Sequence, residues 1–176
     1  MKPHVVPPGT FEGIYLEHSD AIYRFAFRLS GNREDAEDLT AETFCEAFQS
    51  WSRFRSESKP RTWLYRIAVN RWRMCRRRKL VKQVPLSAAD SLADRIQGDS
   101  IQLDEALASL PDKLREAFLL VKSEGLTHLE AATALGVPVG TVYTRVFRAV
   151  AALRCMLDDE SETQSVAVTA RCDHGM

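Results

Sequence analysis

Residues 127 to 154 read THLEAATALGVPVGTVYTRVFRAVAALR. Thr127 is followed three residues later by Glu130, the spacing at which a hydroxyl and a carboxylate satisfy each other's open backbone N–H groups at the start of a helix. Leu129, Ala132 and Leu135 give that short helix an apolar stripe, and Gly136 ends it. Reversing the chain so quickly takes a left-handed backbone that a Cβ disfavours. Pro138 lies close to the first turn of a final helix with Val142, Val146, Val150 and Leu153 on its inner face. This order is the helix-turn-helix plan. The outer face of the final helix carries Thr141, Tyr143, Thr144, Arg145, Phe147 and Arg148, side chains able to reach base edges or phosphates in a major groove. The competing reading is an ordinary helical hairpin with a solvated face, and the agreement of cap, glycine, proline and two stripes weighs against it.

Upstream, Leu103, Ala106, Leu107 and Leu110 precede Pro111, Asp112 opens a further helix with the stripe Leu114, Ala117, Phe118 and Val121, and Gly125 closes it. Residues 102 to 157 therefore read as one helical domain. Residues 158 to 176 are polar and acidic and are expected to form a loose tail, in which Cys172 and His174 lack a third group to orient them. Residues 83 to 101, with Pro85, Gly98, serines, alanines and scattered acids, suit a flexible linker.

A second helical domain precedes the linker, over residues 11 to 82, behind a flexible leader (1 to 10) that holds Pro3, Pro7, Pro8 and Gly9. Ile14, Ile22, Phe25, Ala26 and Leu29 mark its first helix, with a stop at Gly31 and Asn32. A second runs from about 34 to 51, with Ala36, Leu39, Thr43, Phe44, Ala47 and Phe48 expected inward and its acids in water. After a loop around Pro60, periodicity resumes near Thr62 with Trp63, Leu64, Ile67, Ala68, Val69 and Trp72, and ends in Arg76, Arg77, Arg78 and Lys79. The fold class is all-α: two small helical domains joined by a flexible linker, the second holding the helix-turn-helix.

The formal net charge is zero, but the charges are segregated. Residues 33 to 48 carry six acids (Glu34, Asp35, Glu37, Asp38, Glu42, Glu46) against one base, whereas residues 53 to 82 carry twelve bases against Glu57 alone. Two such blocks point to two different partners. In the basic block Trp51, Phe54, Trp63, Tyr65 and Trp72 interleave with arginines, the composition that stacks on unpaired bases while neutralising phosphates. Trp72, at helical spacing with apolar residues, is better read as core, whereas the loop residues Phe54, Arg55, Ser56, Glu57 and Ser58 are better read as a binding element.

An enzyme is disfavoured. His4, His18, His128 and His174 are scattered, and no glycine-rich phosphate loop follows a strand pattern. Cys45, Cys75, Cys155 and Cys172 show no metal-ligand spacing, so no metal or other cofactor is expected, and a reduced cytoplasmic setting is. The longest apolar runs are too short to cross a bilayer, so no membrane insertion is expected. A stand-alone helix-turn-helix regulator remains the alternative to a subunit of a larger machine.

Three stretches, GNREDAEDLTAETFCEAFQSW, FRSESKPRTWLYRIAVN and LPDKLREAFLLVKSEGLTHLEAATALGVPVGTVYTR, resemble in order and spacing the extracytoplasmic-function sigma factors of bacteria. The resemblance covers roughly residues 11 to 157. It implies a sigma region 2 domain and a sigma region 4 domain, joined by a linker that lies along RNA polymerase. By position, Asp35, Asp38, Leu39, Glu42 and Phe44 correspond to the surface that grips core RNA polymerase. Phe54, Arg55, Ser56, Glu57 and Ser58, with Arg61, Trp63 and Asn70, correspond to the element capturing an unstacked base of the minus 10 promoter DNA, and Arg76 and Arg77 to the helix that tracks the strand. Thr141, Tyr143, Thr144, Arg145, Phe147 and Arg148 fall on the minus 35 recognition helix. The resemblance also implies an anti-sigma factor as partner. Ala41 stands where the family usually has glutamine, Ser56 where glycine is common, and Tyr143 where lysine or arginine is usual.

Overall fold

The computed structural model describes residues 10 to 54, 59 to 81 and 101 to 169, and the side chains of residues 10 to 54, 59 to 79 and 103 to 157. The leader before residue 10, the loop residues Arg55, Ser56, Glu57 and Ser58, nearly all of the linker, and Cys172 and His174 lie outside the described residues. Seven α-helices with one 3₁₀ turn and one π turn, and no strand, make up the regular structure of the described residues.

The first three helices form one bundle. α1 (Phe11–Ser30) begins where the Thr10 hydroxyl accepts the Gly13 N–H at 3.2 Å, and ends where Gly31, at φ 77°, donates its N–H to the Phe27 carbonyl. Asn32 at once caps α2 (Arg33–Ser50), accepting the Asp35 N–H at 2.8 Å. So abrupt a restart turns α2 back along α1. A 3₁₀ turn at Trp51–Arg53 follows, and α3 (Pro60–Val81) opens with Pro60, whose missing N–H costs a first helical turn nothing. Phe25, Ala26, Leu29, Ala36, Leu39, Ala47, Leu64, Tyr65, Ala68, Val69 and Trp72 are buried among the three helices, with Phe25 meeting Tyr65 edge-on at 5.1 Å.

The second bundle holds α4 (Ile101–Ser109), α5 (Asp112–Phe118), α6 (His128–Leu135) and α7 (Val139–Thr169). The carbonyls of Pro111 and Pro138, each one residue before its helix, accept the first helical N–H groups. α5 widens into a π turn at Leu119–Ser123. Of the expected stripe, Ala117 is completely buried, as are Leu119 and Leu120, while Leu114, Phe118 and Val121 pack only at the core's margin. On α7 Val142, Val146, Ala149 and Leu153 are buried, and Val150 is marginal. The helix runs on to Thr169, past position 157 where the sequence pattern places the start of a loose tail. None of the helices in the described residues is long and apolar enough to cross a membrane.

Candidate nucleic-acid and polymerase interface

In α2 the acid block splits according to neighbours. Asp38 and Glu42 are exposed. Asp35 is partly buried, where both carboxylate oxygens accept from Lys79 Nζ at 2.6 Å and one accepts from the Asn32 amide at 2.8 Å. Burial pushes its carboxyl up, but the bonds from Asn32 and Lys79 and the Lys79 charge outweigh that and hold it below its ordinary value. Glu46 pairs with Arg71 of α3, and Glu42 lies 3.9 Å from the same guanidinium. Leu39 and Phe44, placed by position in the polymerase-binding set, are core residues 5 and 6% exposed; they shape the helix face from behind. Phe48, expected inward, is instead 66% exposed and edge-on to Phe11 at 5.2 Å. α2 ends at Ser50, two residues on, and the ring that meets Phe48 comes from α1, which periodicity within one helix does not register.

The aromatics of the basic block separate into two groups. Tyr65 and Trp72 are core. Phe54 is half-buried, not isolated: its ring stacks on Trp51 at 5.3 Å and 12°, and lies 4.8 Å from Trp63. Phe48, Phe11, Trp51, Phe54 and Trp63 thus form a continuous run of rings leading to the loop 55 to 58. Arg66, Asn70, Arg77 and Arg78 lie exposed along α3. The other bases of α3 face protein. Besides Arg71 and Lys79, Arg76 donates to Asp112 at 2.8 Å and lies over the Trp72 ring, and Arg61 donates to the Glu124 carbonyl.

On the helix-turn-helix, the capping box is complete: the Thr127 hydroxyl accepts the Glu130 N–H at 3.2 Å, and the Glu130 carboxylate accepts the Thr127 N–H at 2.9 Å. Hydrogen bonds from Lys59, then from the Thr127 N–H and hydroxyl, hold the Glu130 carboxyl down at about 2. Gly136 takes φ 66° at the turn. Ala131, Ala132, Ala134 and Leu135 are buried, whereas Leu129, assigned to the inner stripe, is 69% exposed. A helix of eight residues buries so narrow a face that a one-position error in its register puts a leucine into solvent. Tyr143, Thr144, Phe147 and Arg148 stand exposed on α7, opposite its buried valines. The Tyr143 ring stacks on His128 of α6 at 3.9 Å and 10°, and the Thr144 hydroxyl donates to the Gly140 carbonyl. Thr141 and Arg145 are half-buried at the edge of that face, and Arg145 Nη1 is shielded without a hydrogen-bond partner among the described residues.

Residues 14–80 match the family model of sigma-70 region 2, and residues 100–153 that of sigma-70 region 4. The ECF RNA polymerase sigma factor SigW of Bacillus subtilis is 32% identical over 85% of this chain and 89% of its own length. The chain belongs to the extracytoplasmic-function sigma factors. SigE of Mycolicibacterium smegmatis is 38% identical over 86% of this chain, which spans 63% of that relative's length. Among solved structures, the sigma factor RpoE in complex with the anti-sigma factor NepR from Bartonella quintana is similar, with TM-score 0.73 and 28% identity over 84% of this chain and 96% of that one. CnrH in complex with the cytosolic domain of CnrY is similar, with TM-score 0.63 and 26% identity over 85% of this chain and 88% of that one. Sigma factors direct promoter-specific transcription initiation and are regulatory factors rather than enzymes. In this sigma factor region 2 is α1 to α3 and region 4 is α4 to α7, so the acidic and basic blocks both belong to region 2 and the exposed face of α7 to region 4.

Proposed function

We propose that this sigma factor docks on core RNA polymerase through the solvated acids of α2, and reads promoter DNA with region 2 at the minus 10 element and region 4 at the minus 35 element. Asp38 and Glu42 supply the docking charge, Asp35 is held in place by Lys79, and Leu39 and Phe44 support the helix from the core. Phe54 and Trp63 with Arg55, Ser56, Glu57 and Ser58 take up an unstacked base, and Arg61, Asn70, Arg76 and Arg77 hold the strand. Unstacking costs a few kcal/mol, which a fitted pocket returns, so the duplex opens without ATP. Thr141, Tyr143, Thr144, Arg145, Phe147 and Arg148 read the minus 35 edge, with the tyrosine ring changing promoter preference. The reading carries an anti-sigma factor as a second partner, since the similar RpoE and CnrH are each solved in complex with another protein, and a place beside polymerase in the bacterial cytoplasm.

The observation that carries this most directly is the two-sided α7: apolar residues sealed on one side, and two aromatic residues, a threonine and an arginine exposed on the other, behind a fully capped α6. The deciding experiment adds the purified chain to core polymerase on fragmented genomic DNA and sequences the transcript starts. A shared upstream element among the starts supports the reading. Tight sequence-specific duplex binding without polymerase, and no specific start with it, would overturn it in favour of a stand-alone regulator.

A further inference from the structure

The outer face of α7 is more apolar than a helix that grips only phosphates and guanines requires. Val139, Tyr143 and Phe147 recur at every fourth residue, so they lie in one row along the helix, and all three stand exposed. An apolar row left open in this way marks a surface that a partner covers. Beside it lie Gly140, Thr144 and Arg148, of which the arginine alone carries the forked donors that guanine O6 and N7 accept.

Tyr143 differs from its neighbours in the row because a second ring holds it. Its phenol lies flat on the imidazole of His128, with centroids 3.9 Å apart and planes 10° from parallel. His128 is the first residue of α6 and is half-buried. Its place is fixed by the Thr127 hydroxyl, which accepts the Glu130 N–H, and by the Glu130 carboxylate, which accepts the Thr127 N–H. The histidine therefore covers one face of the tyrosine and restricts its rotamers, while Tyr143 as a whole stays open to solvent.

A tyrosine so placed cannot do the work of an arginine. It has one hydroxyl instead of a planar fork, so it cannot bracket a guanine, and a ring laid on its neighbour cannot swing that hydroxyl in search of a phosphate. What it brings to a major groove is a flat apolar surface, and the apolar group a major groove presents is the C5-methyl of thymine. We infer, resting on the reading of α7 as the minus 35 helix, that Tyr143 reads the methyl group of a thymine in that element and that His128 is the positioning residue holding the ring against it. The capping box that stabilises α6 then also serves recognition, because it sets the point from which His128 meets Tyr143.

Removing single methyl groups from the DNA tests this. Core polymerase with the full chain is given a promoter located by mapping its transcript starts. In a series of templates each thymine of the upstream element, on either strand, is replaced singly by deoxyuridine, which keeps the base pair and lacks the methyl. Transcription from each is measured in competition with the all-thymine template. One position is expected to lose about fourfold through Tyr143, the change that follows from exposing one methylene-sized group. Tyr143→Ala should abolish the penalty at that position, and Tyr143→Phe, which keeps the ring, should retain it. His128→Ala should shrink the same penalty, and His128→Phe, which returns a flat ring beside the tyrosine, should restore it. A variant that merely weakens region 4 lowers transcription from both templates alike and leaves their ratio unchanged. No penalty at any thymine, while base-pair exchanges in the element still lower transcription, overturns the methyl assignment and leaves the minus 35 reading standing. So does a set of penalties that all survive Tyr143→Ala. A penalty that is untouched by His128→Ala, or that His128→Phe fails to restore, overturns the positioning role. If no exchange anywhere in the element alters transcription, the reading of α7 itself fails.

Discussion

In region 2 the charged side chains answer one another across helices: Asp35 with Lys79, Glu46 with Arg71, and Arg76 with an acid of the other domain. In region 4 the presented face is set by backbone devices instead, a capping box, a glycine at φ 66° and a proline before α7, and the exposed residues are largely uncharged. A surface built by pairing is tuned by every neighbour, so exchanging one acid changes several bases. A surface built by caps and turns leaves its outer residues independent, and they can vary without disturbing the frame beneath them.

Six substitutions, in four experiments, break or sharpen that contrast. The largest expected effect is on packing: Phe25→Ala in region 2 loses about 3–5 kcal/mol and Leu120→Ala in region 4 about 2–5 kcal/mol, measured by denaturant unfolding with probes in each domain. If the two regions are loosely held together, each substitution shifts mainly its own domain's transition. A single shared shift would show that the two domains unfold as one.

Next is Asp38→Lys with Glu42→Lys. Placing like charges against the partner costs several kcal/mol, so binding to core polymerase in a pull-down titration should fall about hundredfold, with the melting temperature little changed because both positions face water. Retention of binding would show that the acids are only a solvated face. In region 4, Arg148→Ala should remove about 1–3 kcal/mol of discrimination between promoter variants, read from competitive transcription, while leaving stability untouched. A uniform loss on all promoters would assign Arg148 to phosphate contact instead.

The smallest effect is Thr127→Ala, expected to cost about 1 kcal/mol of stability through loss of the cap. Its pH dependence has a definite sign. The Glu130 carboxyl sits at about 2 in the folded chain, against about 4.3 when unfolded. The stability it contributes is therefore complete above about 4.3 and disappears as pH falls toward 2. In Thr127→Ala that acid-sensitive part should shrink, since both the hydroxyl bond and the ordered N–H are disturbed, and urea titrations at pH 6 and pH 3 compare the two.

Much of the architecture was legible locally. The breaks at Gly31, Pro111 and Gly136 and the buried stripe of α1 depend on residues within a few positions of one another, and they stand where the pattern puts them. The errors fall where a partner element decides. Periodicity puts Phe48 inward, yet it stands exposed and edge-on to Phe11 of another helix, and the loop residue Phe54 is half-buried against Trp51 and Trp63. Leu119 and Leu120 take the deepest positions where α5 passes into a π turn, a change of phase that no periodic template contains.

The chain by itself determined that there are two helical units, where most helices begin and end, and that opposite charges are gathered into separate blocks, since caps, glycines and apolar periodicity act over three or four residues. Only the tertiary structure decided which charges in those blocks are open to solvent. Arg73 and Glu116 are 43 positions apart, and Arg61 and Glu124 are 63 apart. Whether such groups meet depends on how two folded bodies come to rest against each other, and an ion pair has no periodicity along the chain to announce it.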